Sequence, residues 1–262
     1  MQLGLAGKTC IVTGASRGIG RETARLLADD GAEVLLAARN PDGLAAALID
    51  CPGGATLAID ITEPDAGERL VAAALEQFGR LDVVVNNAGA ARRRDLDEVS
   101  DDDFYAAFEL NVMAPHRLMR AAIPVMVSNR WGRVVNVSST AGKRPSAAMP
   151  EYSVTKAAEL SLSRLYADRY AAAGVLVNAV CPGPVASEMW MAPGGLLDQS
   201  VAADGHPDRR SALDAAGSSR PIGRLAEVGE IAATIVFLCS ERASYVAGSA
   251  WGIDGGTVQV II

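Results

Sequence analysis

Thr9-Cys-Ile-Val-Thr13-Gly14-Ala-Ser-Arg-Gly18-Ile-Gly20 is a short β-branched run that ends in a glycine-rich turn. A helical pattern follows, with Ile19, Thr23, Leu26 and Leu27 on one side, and it stops at Gly31; Glu33–Ala37 reads as the next buried strand. Strand, glycine turn, helix and strand in this order are what a dinucleotide phosphate site requires. The glycines let the backbone approach a pyrophosphate, and the helix start points free N–H groups at its charge.

The alternation continues outward from this unit. Strand-like runs lie at Ala55–Ile59, Asp82–Val85, Arg133–Val137, Val175–Val180 and Ser249–Ile253, with helical stretches at Asp65–Phe78, Asp101–Val127, Tyr152–Ala173 and Glu227–Cys239. Apolar strands alternating with helices predict an α/β fold of Rossmann type, a doubly wound parallel sheet covered on both faces. No linker, low-complexity segment or repeat divides the chain, so residues 1–262 are expected to form one domain around about seven strands. Polar and turn residues follow the strands at one edge: Asp60 and Ile61, Asn86-Asn87-Ala88-Gly89, Ser138 and Ser139, Pro182-Gly183. That edge is where such sheets bind ligands.

Half of the 262 residues are apolar and the net charge is −7, which argues against nucleic acid or an anionic membrane as the main partner. Cys10, Cys51, Cys181 and Cys239 are widely separated, without metal-ligand spacing. No apolar run reaches the roughly 20 residues a bilayer span needs, and Met1–Lys8 has no signal-peptide pattern. A soluble, reducing, cytoplasmic setting is expected.

Tyr152-Ser-Val-Thr-Lys156 places a phenol and an ammonium one above the other on a helix. A free phenol, with a pKa of about 10, exchanges protons poorly at neutral pH. An adjacent ammonium favours the phenolate. On its own the pair reads more readily as a buried aromatic beside a solvated cation.

Taken together, the motifs resemble the short-chain dehydrogenase/reductase family in its compact, single-domain branch, the 3-oxoacyl-ACP-reductase-like members included. Thr13-Gly14-x-x-x-Gly18-x-Gly20 is similar to the family's cofactor loop and Asn86-Asn87-Ala88-Gly89 to its sheet-stabilising motif. Asn111, Ser139, Tyr152 and Lys156 match its catalytic tetrad, Pro182-Gly183 its nicotinamide turn, and Ile253-Asp-Gly-Gly256 its C-terminal strand. The resemblance implies hydride transfer between NAD(P)(H) and a ketone or secondary alcohol. Tyr152 would be the general acid and base, Ser139 would hold the carbonyl, Lys156 would hold the nicotinamide ribose, and Asn111 a relay water. It implies cofactor contacts at Gly14, Ser16, Arg17, Gly18, Ile19, Gly20, Arg39, Asp60, Ile61, Asn87, Ala88, Gly89, Tyr152, Lys156, Pro182, Gly183, Val185 and Ser187. Ser138 is the rival to Ser139; the spacing to Tyr152 favours Ser139.

An acid after the second strand would bind the adenosine ribose hydroxyls. Here Ala38 and Arg39 stand there, with Arg17 in the glycine loop, a pattern that suits the extra phosphate of NADP(H) over NAD(H). Residues 185–222, with Met189, Trp190, Met191, Leu196 and Leu197 before His206-Pro-Asp-Arg-Arg210, correspond to the family's substrate lid. Arg92-Arg93-Arg94 reads as a solvated run or as a site for an anionic substrate. Arg130 matches a position that family members use for acyl carrier protein, but Ala173 replaces a second expected Arg. By resemblance the chain forms a homotetramer or homodimer, through Phe108, Met113, Leu160, Leu165 and the apolar end Thr257–Ile262. A non-catalytic NADP(H)-binding scaffold is the rival from another class, disfavoured by the intact tetrad. Within enzymes, 3-oxoacyl thioester reduction and small or cyclic ketone or sugar alcohol chemistry stay open.

Overall fold

The computed structural model describes residues 3–259. β1 (Thr9–Thr13) enters the glycine turn, and α1 (Gly18–Asp29), β2 (Glu33–Ala38), α2 (Pro41–Leu48) and β3 (Ala55–Ala58) follow. Next come α3 (Ala66–Phe78), β4 (Val83–Asn86), α4 (Asp101–Phe108) and α5 (Ala114–Ser128). β5 (Gly132–Val137), α6 (Pro150–Tyr170) and β6 (Val175–Pro182) complete the centre of the sheet. Three short helices, α7 (Glu188–Met191), α8 (Leu196–Asp204) and α9 (Arg209–Ser218), precede α10 (Val228–Cys239) and β7 (Ala250–Ile253).

The strands form one parallel seven-stranded sheet in the order β3-β2-β1-β4-β5-β6-β7. The chain winds outward from β1 to β3, then returns to the other side of β1 with β4. That reversal leaves a crevice beyond the C-terminal ends of β1 and β4. Alternate strand residues supply the two cores, as a pleated strand requires. Cys10, Val12, Val83 and Val85 pack beneath α1 and α10; Ile11, Val84 and Val134 pack beneath α3 and α5. Every residue of β1, β4 and β5 is buried, which explains their reading as continuous apolar runs.

Three features depart from the sequence reading. α2 was not among the expected helices. Asn40 Oδ1 in fact accepts from the Asp42 and Gly43 N–H groups and caps a helix with Pro41 in its first turn. Within 185–222, where no helix was expected, α7, α8 and α9 form. The single helix expected over Asp101–Val127 is broken by a π turn at Glu109–Met113, where the Ala114 N–H donates to Glu109 O. Pro115 lacks the N–H that would reach Asn111 O in α geometry, so the ladder is interrupted there. No helix among the described residues is long and apolar enough to cross a membrane.

Candidate active site

The glycine turn is pressed against the end of β4. Thr13 Oγ1 accepts from the N–H groups of Asn87 (3.0 Å) and Ala88 (3.1 Å) and donates to Val85 O (3.3 Å). Asn87 Nδ2 donates back to Thr13 O (2.9 Å) and Gly14 O (3.3 Å). Gly14 has a φ of +67°, and a Cβ there would stand 2.9 Å from Ala88 Cα; one on Gly20 would collide with Asn87 Nδ2 and Gly14 O. The turn therefore closes only with glycine at both positions. Deeper in the sheet, Asn86 Nδ2 donates to Asn136 Oδ1 (2.7 Å), and Asn136 Nδ2 to Ser163 Oγ of α6 (2.7 Å). These bonds lock β4, β5 and α6 in register.

Over this edge lies a cleft of about 1090 Å³. It gathers Gly14, Ser16, Arg17, Gly18, Ile19, Arg39, Asp60, Ile61, Asn87, Ala88, Gly89, Ser139, Tyr152, Lys156, Pro182, Gly183, Val185 and Ser187 on its walls. Gly20 and Asn111 are not on the walls. Gly20 underlies the turn, and Asn111 is buried behind Gly89, its Oδ1 3.3 Å from where a Cβ on Gly89 would stand. Asn111 Nδ2 donates to Thr155 Oγ1 (3.1 Å), while its Oδ1 has no hydrogen-bond partner.

Ser138 and Ser139 part company. Ser138 is buried and its hydroxyl donates to Lys156 O (2.9 Å), a bond that holds α6. Ser139 is half-buried, and its Oγ accepts from the Ala141 N–H (3.1 Å). Lys156 Nζ lies 5.7 Å from the centroid of the Tyr152 ring and donates to Val137 O (2.8 Å). It also pairs with Glu159 Oε2 at 2.9 Å, the two side chains being 3% and 1% exposed. Burial works to lower the Lys156 pKa, but the charges of Glu159 and Tyr152 outweigh it and hold the ammonium above its ordinary value.

At the other end of the cleft, the Arg39 side chain is 81% exposed, with Asp60 3.9 Å away. Thr62, through its backbone N–H and then its hydroxyl, keeps the Asp60 carboxyl below the usual range. The arginine run splits three ways. Arg92 is exposed. Arg93 lines the cleft and is tied to the α8 region, its N–H donating to Gln199 Oε1 (2.8 Å) and its guanidinium pairing with Asp204 (2.7 Å). Arg94, 17% exposed, pairs with Asp103 (2.6 Å) and Glu151 (3.4 Å) and joins α4 to α6. Arg130 and Ala173 lie in the turns before β5 and β6, at the sheet edge opposite the cleft.

The sequence reading missed Asn40, Arg220, Thr257 and Val258 on the cleft wall, and Glu159 beside Lys156. For Glu159 a signal existed: a carboxylate one turn after Lys156 shares its helix face. The four cysteines are free and buried. Residues 260–262, part of the apolar end expected in a subunit interface, lie outside the described residues.

Comparison with known proteins matches residues 14–258 to a family model described as Enoyl-(Acyl carrier protein) reductase. The chain is 34% identical over 260 residues to the 3-oxoacyl-[acyl-carrier-protein] reductase FabG of Vibrio cholerae, covering 98% of this chain and 100% of that one. It superposes on L-sorbose reductase from Gluconobacter frateurii, a complex with NADPH and L-sorbose, with a TM-score of 0.93 at 32% identity and full coverage of both chains. Levodione reductase matches with a TM-score of 0.90 at 28% identity, over 98% of this chain and 99% of that chain. Sheet order, glycine turn and these relatives together establish that the chain belongs to the short-chain dehydrogenase/reductase family and is an NAD(P)-dependent oxidoreductase.

Proposed function

We propose that the chain interconverts a ketone and a secondary alcohol using NADP(H), with Tyr152 exchanging the proton. The observation that carries this reading is the convergence of Ser139, Tyr152 and Lys156 on the cleft wall that also holds the glycine turn. The residues present fit the cofactor. The glycine cradle leaves backbone room for a pyrophosphate. Lys156 also has a third N–H beyond those given to Val137 and Glu159.

The bound nicotinamide supplies the hydride; orientation and proton handling fall to the chain. Ser139 hydrogen-bonds the substrate oxygen, Tyr152 gives or takes its proton, and Lys156 holds the ribose and favours the phenolate. Asn111, freed from a helical partner by Pro115, holds a relay water behind Gly89. Arg17 and Arg39 flank the adenosine end, and Ala38 replaces an acid at the end of β2, which supports NADP(H) over NAD(H). Met189, Trp190 and Leu196 make the 185–222 segment a largely apolar lid over the substrate. The relatives' names cover acyl-carrier-borne, sugar and cyclic ketone substrates. Ala173 stands where the resemblance expects a second Arg, which favours a free small-molecule carbonyl over one carried by acyl carrier protein. Tyr105, Phe108, Met113 and Leu165 expose an apolar face on α4 to α6, and we read it as the homodimer or homotetramer contact.

The test follows NADPH and NADH oxidation against a β-ketoacyl thioester, a cyclic ketone, a ketose and a steroid. Turnover of at least one, with NADPH preferred, supports the reading. A preference for NADH above about tenfold, or about 1.4 kcal/mol, would overturn the roles of Arg17 and Arg39. Tight cofactor binding without any turnover would favour the scaffold alternative.

A further inference from the structure

Glu159 has no part in the mechanism above, yet it is among the most deeply buried charged side chains. It lies one turn beyond Lys156 on α6, on the face carrying Ser153, Thr155, Lys156 and Ser163, all buried. A carboxylate at such depth is costly unless paired, and a leucine would fill the same space without that cost. Its Oε2 lies 2.9 Å from Lys156 Nζ, and its backbone oxygen accepts from Ser163 Oγ (2.7 Å), the residue that Asn136 of β5 also holds. Those bonds tie the Glu159 main chain to β5, and the carboxylate itself is held by Lys156.

Two consequences follow for Lys156. Val137 O and Glu159 take two of its three N–H groups, so the third has one direction left, into the cleft between Gly89 and Tyr152. The charge presented to Tyr152 is also not that of a bare ammonium. The carboxylate on the far side of Nζ offsets it, so a phenolate gains less than it would from an isolated lysine. Tyr152 on α6 and Cys181 on β6 are the other titratable groups that act on this ammonium. Burial pushes the Cys181 thiol up to about 11, so it is neutral at working pH. Burial likewise pushes the Glu159 carboxyl up, against the pull of Lys156.

We propose that Glu159 is a positioning residue that aims Lys156 Nζ into the cleft and, by offsetting its charge, raises the pH at which alcohol oxidation sets in. The inference rests on the reading of Tyr152 as the proton-exchanging group.

The experiment compares the parent with Glu159→Gln, which keeps shape and hydrogen bonding, with Glu159→Leu, which fills the space without a polar atom, and with Glu159→Asp, which keeps the charge. Two quantities are read. One is the pH profile of kcat for alcohol oxidation with NADP+. The other is the tyrosinate absorbance of the cofactor-free protein, its Tyr152 component obtained by subtracting the same titration of Tyr152→Phe. The Gln and Leu variants should move both midpoints down by about one pH unit, a tenfold gain on the acid side, with a raised KM for NADP+. Glu159→Asp should restore part of the shift. Superimposable midpoints, or a shift to higher pH, would overturn the proposal. So would a Tyr152 component in the parent that emerges at or below neutral pH, a result that needs no Glu159 variant to fold. A parent with a Tyr152→Phe form that turns over normally would instead defeat the tyrosine reading and leave the spectroscopic titration to judge Glu159.

Discussion

The floor of the cleft and its lid are built by opposite means. On the floor, residues beside the expected chemistry are tied to a different element: Thr13 to Asn87 and Ala88, Asn111 to Thr155, Ser138 to Lys156, Lys156 to Val137. The lid consists of three short helices whose hydrogen bonds are mostly local. Its connections to the body include the Val185–Ala226 bridge, the Ile222 N–H to Gly255 O bond and the ties from Arg93 to Gln199 and Asp204. Where geometry must be held to a fraction of an ångström, the chain spends cross-strand hydrogen bonds. Where, on the function proposed above, it accommodates a particular carbonyl, it uses a segment that can change without disturbing the sheet. One fold can thereby keep its reaction and exchange its substrates.

The contrast breaks most visibly at Lys156. Lys156→Met should abolish turnover and also destabilise the chain by about 3–5 kcal/mol, because Glu159 is left buried without its partner. Adding Glu159→Leu should restore the thermal midpoint but not the activity. A single variant as stable as the parent would show that the ion pair is not integral to the floor. A smaller loss is expected at Thr13→Val, which keeps the shape but leaves two N–H groups without their acceptor. Denaturant unfolding should report about 1–3 kcal/mol, together with weaker NADPH binding. Smallest in stability is Arg93→Ala, which cuts a largely surface ion pair worth about 0–1 kcal/mol. It should raise KM for the carbonyl while leaving NADPH affinity unchanged, so steady-state kinetics on both substrates separate lid from floor.

The floor was also the more legible half. Buried parallel strands must be apolar on both faces, so β1, β4, β5 and β6 stand out as runs, and close approach of the backbone demands glycine at Gly14 and Gly20. The motif residues could be placed because they follow strands at a fixed edge. The lid was not legible, since its helices are too short to show a period and Pro193-Gly194-Gly195 reads as loop. The π turn at Asn111 had one sign, Pro115, whose missing N–H interrupts the ladder. Ser138 and Ser139 separated only in three dimensions, when one hydroxyl proved to be committed to Lys156 O. Glu159 escaped for a related reason: α6 buries serine, threonine and charge, so apolar periodicity gives no warning that its polar face is the inner one.

The central claim, that a tyrosine held over this fixed floor exchanges the proton, is tested most directly by Tyr152→Phe. Turnover should fall by about 10²–10⁴-fold or more, while NADPH affinity measured by fluorescence titration stays within a few-fold of the parent. A phenylalanine variant with full activity would contradict the account.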